Sequence, residues 1–240
     1  MFPYDASLRA AVSTPVSTVA DVLRVMQAID SICIDGDGLK WFNWLYFRVT
    51  QQVEARIAAG GFTDSTWLAT LDVQFAQLYF SAIRTGLSDA PTPGCWQALL
   101  TRRNQTKIAR IQFAVAGVNA HINHDLPLAL VATGTITNIA PRHLTPEYTD
   151  YTALNATFDS LIETAKTALH VRLLGDALPP FSRLEDTLGA WKVLVAREQA
   201  WTNAGILWAL RGTPELGARF METINGLTTV AGKTLLIPVP

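Results

Sequence analysis

Two of the four histidines in this 240-residue chain lie within one short segment, His121-Ile122-Asn123-His124-Asp125. On an α-helix turning about 100° per residue, positions i, i+3 and i+4 share a face. His121, His124 and Asp125 are therefore expected to point the same way. Side chains of these types at this spacing do one of three things. They can converge on a divalent metal, zinc first among the candidates, with further ligands from facing helices. Such a metal polarises a substrate or activates a water. They can work without metal, an aspartate orienting a histidine that acts as general acid or base. Or they can be a hydrogen-bonded cluster that closes the backbone ahead of Pro127.

Other residues join this candidate site. Asp72 lies in an apolar stripe between Leu68 and Phe75. A carboxylate there is costly unless paired, so a metal, one of the histidines or an arginine is expected beside it. Arg197, with Glu198 in an otherwise apolar segment, is the plainest ion-pair partner. Asp150 and Asn155 place polar groups in another mainly apolar segment. Asn119 and Asn123, on a different face of the His121 helix, are candidate substrate contacts together with Arg197 and Trp201. Ala114 and Gly117 stand above His121 on its face and leave space for a ligand or another helix. Seven tryptophans either fill gaps between helices or wall a pocket for an organic ligand.

The elements that must position these groups read as helices nearly throughout. Val19, Val22, Met26, Ile29 and Cys33 recur at steps of three and four, with Thr18 and Asp21 as a cap and acidic first turn. The string Asp35-Gly36-Asp37-Gly38 lacks the later glutamate of a calcium loop and reads as a turn. A helix is expected over 39–59, stopped by Gly60-Gly61. Another follows the cap Asp64, and a short one surrounds Trp96. A long helix over 104–125 is expected to kink or end at Pro127, whose ring clashes with the carbonyl of Asn123. The polar stretch 133–145, with Arg142 and His143, reads as the longest irregular region and a candidate lid. Thr145-Pro146-Glu147 and Thr213-Pro214-Glu215 each combine a cap, a first-turn proline and an acid. They open helices, the second running to about Ile224. Pro179-Pro180 precedes a helix over 183–210. The fold class is all-α: one domain over 1–240, its core about 17–230, a multi-helix bundle around a central helix kinked near Pro127.

Composition narrows the function. The chain is 49% hydrophobic and 16% charged, with a formal net charge of -1. That balance implies a large core and gives no electrostatic case for nucleic acid or an anionic membrane. No apolar run is long enough to span a membrane, and the first residues lack the pattern of a signal peptide. Cys33 and Cys95 lack metal or redox spacing and fit buried, reduced thiols in a cytoplasmic protein. The apolar surplus is compatible with a homodimer interface.

Three stretches carry a resemblance to an uncharacterised bacterial family classed as a domain of unknown function. They are residues 38–43 (GLKWFN), 71–80 (LDVQFAQLYF) and 116–127 (AGVNAHINHDLP), and the likeness spans roughly residues 20 to 210. It implies a helical fold and supplies no activity. His121 and Asp125, followed by Pro127, also resemble the His-x-x-x-Asp helix of zinc-dependent phospholipase C and related nucleases. That family's further ligand histidines have no obvious counterparts, since His143 and His170 alone remain. His124-Asp125 is similar to the adjacent pair of metal-dependent phosphohydrolases. The expectation carried forward is a small-molecule enzyme built on Asp72, His121, His124 and Asp125, a metal-assisted hydrolase. The alternatives are a metal-free cyclase or isomerase of specialised metabolism using His121 or His124 in an aromatic pocket, and a non-catalytic helical binding or scaffold protein.

Overall fold

Four of the described helices start at a side chain that accepts from an amide of the first turn. The computed structural model describes residues 2–156 and 193–238, and these form helices and turns with no strand. A first helix, α1 (Asp5–Ala11), precedes the expected core, yet Leu8 on it and Val12 after it are buried. In α2 (Val19–Ile32) Thr18 and Asp21 form the reciprocal capping box their spacing predicts. Asp37 caps α3 (Gly38–Ala58) by accepting from the Leu39 amide. Its second oxygen takes the Arg103 guanidinium at 3.0 Å and the Tyr4 hydroxyl at 3.1 Å. Asp64 caps α4 (Ser65–Gly86), and Thr145 caps α8 (Pro146–Ala153). Asp150 of α8 accepts from the backbone amides of Thr63 and Asp64 at 2.9 and 2.7 Å, tying α8 to the start of α4.

Between them lie α5 (Gly94–Leu100), α6 (Arg110–Ala120) and α7 (Leu126–Thr137). After the second described stretch begins come α9 (Val193–Ala209), a short 3-10 turn and α10 (Pro214–Leu235). The expected start of the long helix at 104 is replaced by turns up to Ala109, and the last helix runs well past Ile224. The region 133–145 is not irregular throughout: α7 continues to Thr137 and ends on Asn138 in the left-handed conformation (φ 58°). The loop is therefore the shorter 138–145. His170, Trp191, Pro179-Pro180 and the start of the expected 183–210 helix, up to 192, lie outside the described residues; the rest of that helix is α9.

Packing divides the central rod into two halves. α6 lies against α3 and α10, whereas α7 lies against α4 and α9. Close approach of α3 and α6 rests on two glycines. A Cβ on Gly117 would stand 2.3 Å from Phe42, and one on Gly38 would stand 2.3 Å from Phe113. The space beside Gly117 thus receives a side chain of α3, not a ligand. Cys33 and Cys95 are buried free thiols, and burial pushes both up from their ordinary acidity. Among the described residues no helix is long and apolar enough to cross a membrane.

Candidate functional site

The segment His121–Asp125 is not α-helical. It is a π-helical insertion between α6 and α7, in which the amide of Leu126 bonds to the carbonyl of His121, five residues back. Pro127 explains the local choice. A proline cannot donate to the carbonyl four residues earlier and crowds it, and a turn widened to i→i+5 bonding moves that carbonyl aside. The helix expected to kink or end at Pro127 runs on through it as α7, with the widened turn just before it. Insertions of this kind recur at functional sites.

Three N–H groups converge on the Asp125 carboxylate. The Trp96 indole Nε1 donates to Oδ2 at 2.9 Å. His121 Nδ1 lies 2.9 Å from the same oxygen, and His124 Nδ1 lies 2.7 Å from Oδ1. Burial opposes ionisation of Asp125, but the hydrogen bonds from His121 and His124 outweigh it and hold the carboxyl below its ordinary value. An ionised carboxylate only accepts, so both imidazoles donate from Nδ1. Burial, against the pull of Asp125, lowers His121 from its ordinary value. His121 is therefore the neutral Nδ1–H tautomer at neutral pH, the form in which an aspartate-oriented histidine acts as a base.

An aromatic cage fixes the ring. Phe75 stacks on His121 with centroids 3.5 Å apart and planes 6° from parallel. Tyr46 meets it edge-on at 4.5 Å and Phe42 at 5.5 Å. His121 Nε2 is buried with no hydrogen-bond partner among the described residues. The imidazole lines a cavity whose walls include Leu45, Val49, Leu71, Ile122 and Leu154. The cavity has a volume of about 80 Å³, room for on the order of five waters.

Of the expected site residues, the structure gathers His121, His124 and Asp125 into one cluster and sets His121, Asp72 and Arg197 on the cavity wall. The Asp72–Arg197 ion pair is not formed. Arg197 donates from Nε to Asn155 Oδ1 at 2.9 Å and from Nη2 to the Tyr151 carbonyl at 2.6 Å. Asp72 Oδ2 is buried without a partner among the described residues. Burial, then the negative charge of Glu54, pushes Asp72 up to about 7. Asn119 and Asn123 do not reach the cavity wall. Asn119 donates to the Thr228 carbonyl of α10 at 3.0 Å and accepts from Asn123 at 3.0 Å, so the pair fastens the π segment to the last helix. Trp201 is buried against Trp67, Tyr148 and Tyr151. Outside this region, Glu198 accepts from Tyr148 and pairs with His143, each at 2.8 Å, and so holds the 138–145 loop on α9.

The donor set does not assemble the expected metal site. Both Nδ1 atoms and the Asp125 oxygens are spent on one another and on Trp96. Among the described residues no group of three or more His, Cys, Asp or Glu side chains is placed to hold a metal ion. Residues that the spacing did not single out complete the site. Trp96 comes from α5, and Tyr46 and Phe75 come from stripes that otherwise look like plain core. No sequence signal separates the indole that binds Asp125 from the other six tryptophans.

Fold and site together define an all-helical protein with a buried aspartate that orients two histidines beside an apolar cavity. The chain belongs to a family of unknown function, DUF5995, whose model matches residues 19–238. The resemblance to an uncharacterised helical family is thereby borne out. No curated protein and no solved structure matches the chain.

Proposed function

We propose that this protein is an enzyme that moves a proton on a small, largely apolar organic molecule held in the cavity between α3, α4 and the π segment, without a metal at His121, His124 and Asp125. The observation that carries this reading is the His121 ring. Its Nδ1 is committed to an ionised aspartate, while its Nε2 is buried and without a hydrogen-bond partner among the described residues, on a ring that lines an apolar cavity. A buried polar atom left without a partner is unusual enough to need a reason, and a substrate proton is a sufficient one. His121 is the general base, then the acid that returns the proton. Asp125 is a positioning residue that selects the tautomer and stabilises the imidazolium. Trp96 and His124 hold Asp125 in place, and the cage of Phe42, Tyr46 and Phe75 excludes water.

The test is proton exchange. Small apolar molecules are incubated with the protein in deuterium oxide, and label is read by mass spectrometry. The wild type is expected to introduce deuterium into at least one class of molecule, and His121→Gln to lose at least a hundredfold of that rate while keeping the helical circular dichroism. Equal exchange by both proteins sinks the assignment. Stoichiometric zinc in the purified wild type, lost in a folded His121→Gln, would return the site to the metal-assisted hydrolase expected from the spacing.

A further inference from the structure

We infer that the molecule bound in this cavity is a carbonyl compound, with its oxygen seated between the Tyr46 hydroxyl and the Asp72 carboxyl group and its α-carbon facing His121. The inference rests on the proton-transfer reading above and names its substrate class. Three polar atoms of the cavity-lining residues are buried and make no hydrogen bond of normal geometry among the described residues: Tyr46 Oη, which has the Thr50 hydroxyl beside it, Asp72 Oδ2 and His121 Nε2. Among the described residues the wall around them is otherwise apolar, apart from Arg197, whose guanidinium is engaged by Asn155 and Tyr151. The three come from three elements. Tyr46 sits one turn after Phe42 on α3, Asp72 sits one turn before Phe75 on α4, and the rings of Tyr46 and Phe75 both touch His121.

Their chemistry is complementary to one functional group. Burial, with the charge of Asp72 next, raises Tyr46 well above its ordinary value, so it remains a hydroxyl donor. Burial likewise favours the protonated form of Asp72, which also donates. Two O–H donors beside one basic nitrogen match an acceptor oxygen next to an acidic C–H bond. In the step, His121 Nε2 takes the α-proton. The C–H electron pair becomes a carbon–carbon double bond, and the carbonyl pair moves to oxygen. The negative charge there is held by the two O–H donors. Returning the proton to the same carbon gives exchange, and returning it further along a conjugated chain gives an isomer. No oxidant, reductant or co-reactant is needed.

Cyclohexanone and methylenecyclohexane differ in oxygen against CH₂ at nearly constant shape and serve as probes. Binding of each to the full-length protein is followed by ligand-observed NMR, with deuterium exchange of the ketone followed in parallel. The wild type is expected to bind the ketone at least tenfold more tightly than the alkene. Tyr46→Phe and Asp72→Leu should each remove most of that preference while leaving alkene affinity unchanged, which also shows that the cavity is intact. His121→Gln should abolish exchange and keep the preference. Equal binding of the two probes by the wild type overturns the inference, as does a preference that survives both substitutions. In either case His121-dependent exchange of some other molecule would leave the proton-transfer reading standing. A preference that behaves as expected, with exchange indifferent to His121, supports the oxygen site and overturns the base instead.

Discussion

Replacing Asp72 by asparagine should make the protein more stable, and by an amount that depends on pH in one direction. The carboxyl is buried in α4 with one oxygen unpartnered among the described residues, and it loses its proton at about 7 instead of the ordinary 3.8. Below 3.8 it is neutral whether the chain is folded or unfolded, and the aspartate costs little relative to asparagine. As the pH rises towards 7 the unfolded chain releases this proton while the folded one keeps it, so folding becomes progressively less favourable. Above 7 the charge must be buried outright. At about 1.4 kcal/mol for each tenfold change in proton affinity, the gap between the two values is worth about 4 kcal/mol at most. Urea unfolding of wild type and Asp72→Asn at pH 4.5, 6 and 8 isolates the contribution, since other titrating groups cancel in the difference. The advantage of Asp72→Asn should be about 1 kcal/mol at pH 4.5 and grow to several at pH 8. A difference that stays flat across this range would show that Asp72 is satisfied in solution, and its place as a donor in the cavity would fall with it.

Further substitutions probe the cluster. Asp125→Asn leaves two buried imidazoles without their anion and should cost about 3 kcal/mol. ¹⁵N NMR should then show His121 leaving the Nδ1–H tautomer, and unchanged ring shifts would contradict the assignment. Trp96→Phe removes the third donor to Asp125 and should cost about 1–2 kcal/mol in a denaturant melt; a neutral result would mean the indole bond is not made. Gly117→Ala places a methyl group 2.3 Å from the Phe42 ring and should cost about 1–3 kcal/mol by overpacking, with shifted His121 ring resonances as its signature. Leu144 is 96% exposed at φ 61°, so Leu144→Asn loses no packing, relieves the backbone, and should raise stability by about 1 kcal/mol.

The helices were legible because their stripes and caps are local. Thr18 with Asp21, Asp64 and Thr145 each do in the structure what their spacing says. The convergence of His121, His124 and Asp125 was legible too, but not its sense. Spacing shows that three side chains share a face and is silent on whether they aim at a common ion or at each other. Here they aim at each other, because the π turn and the Trp96 indole bring donors onto both oxygens of Asp125. Trp96 stands 29 positions before Asp125, and nothing local marks it. Asp72 shows the opposite failure. The expectation that a buried carboxylate must have a partner is sound for a structural residue, and its open oxygen is informative because that rule is broken. Asn119 and Asn123 look like ligand contacts from their face of the helix, yet a carbonyl of α10, more than a hundred positions later in the chain, accounts for Asn119.

The rod from Arg110 to Thr137 changes neighbours without interruption, and the π segment allows this. Five residues there occupy what would otherwise be roughly one α-helical turn, so the second half of the rod is out of phase with the first. Removing any one of them would restore the phase and swing α7 by about 100° about its own axis, carrying Leu126, Ala129 and Leu130 away from the faces that now bury them. The alignment of the imidazole with its cavity is thus a matter of arithmetic along the chain. This stretch can exchange one residue type for another far more easily than it can gain or lose a single position.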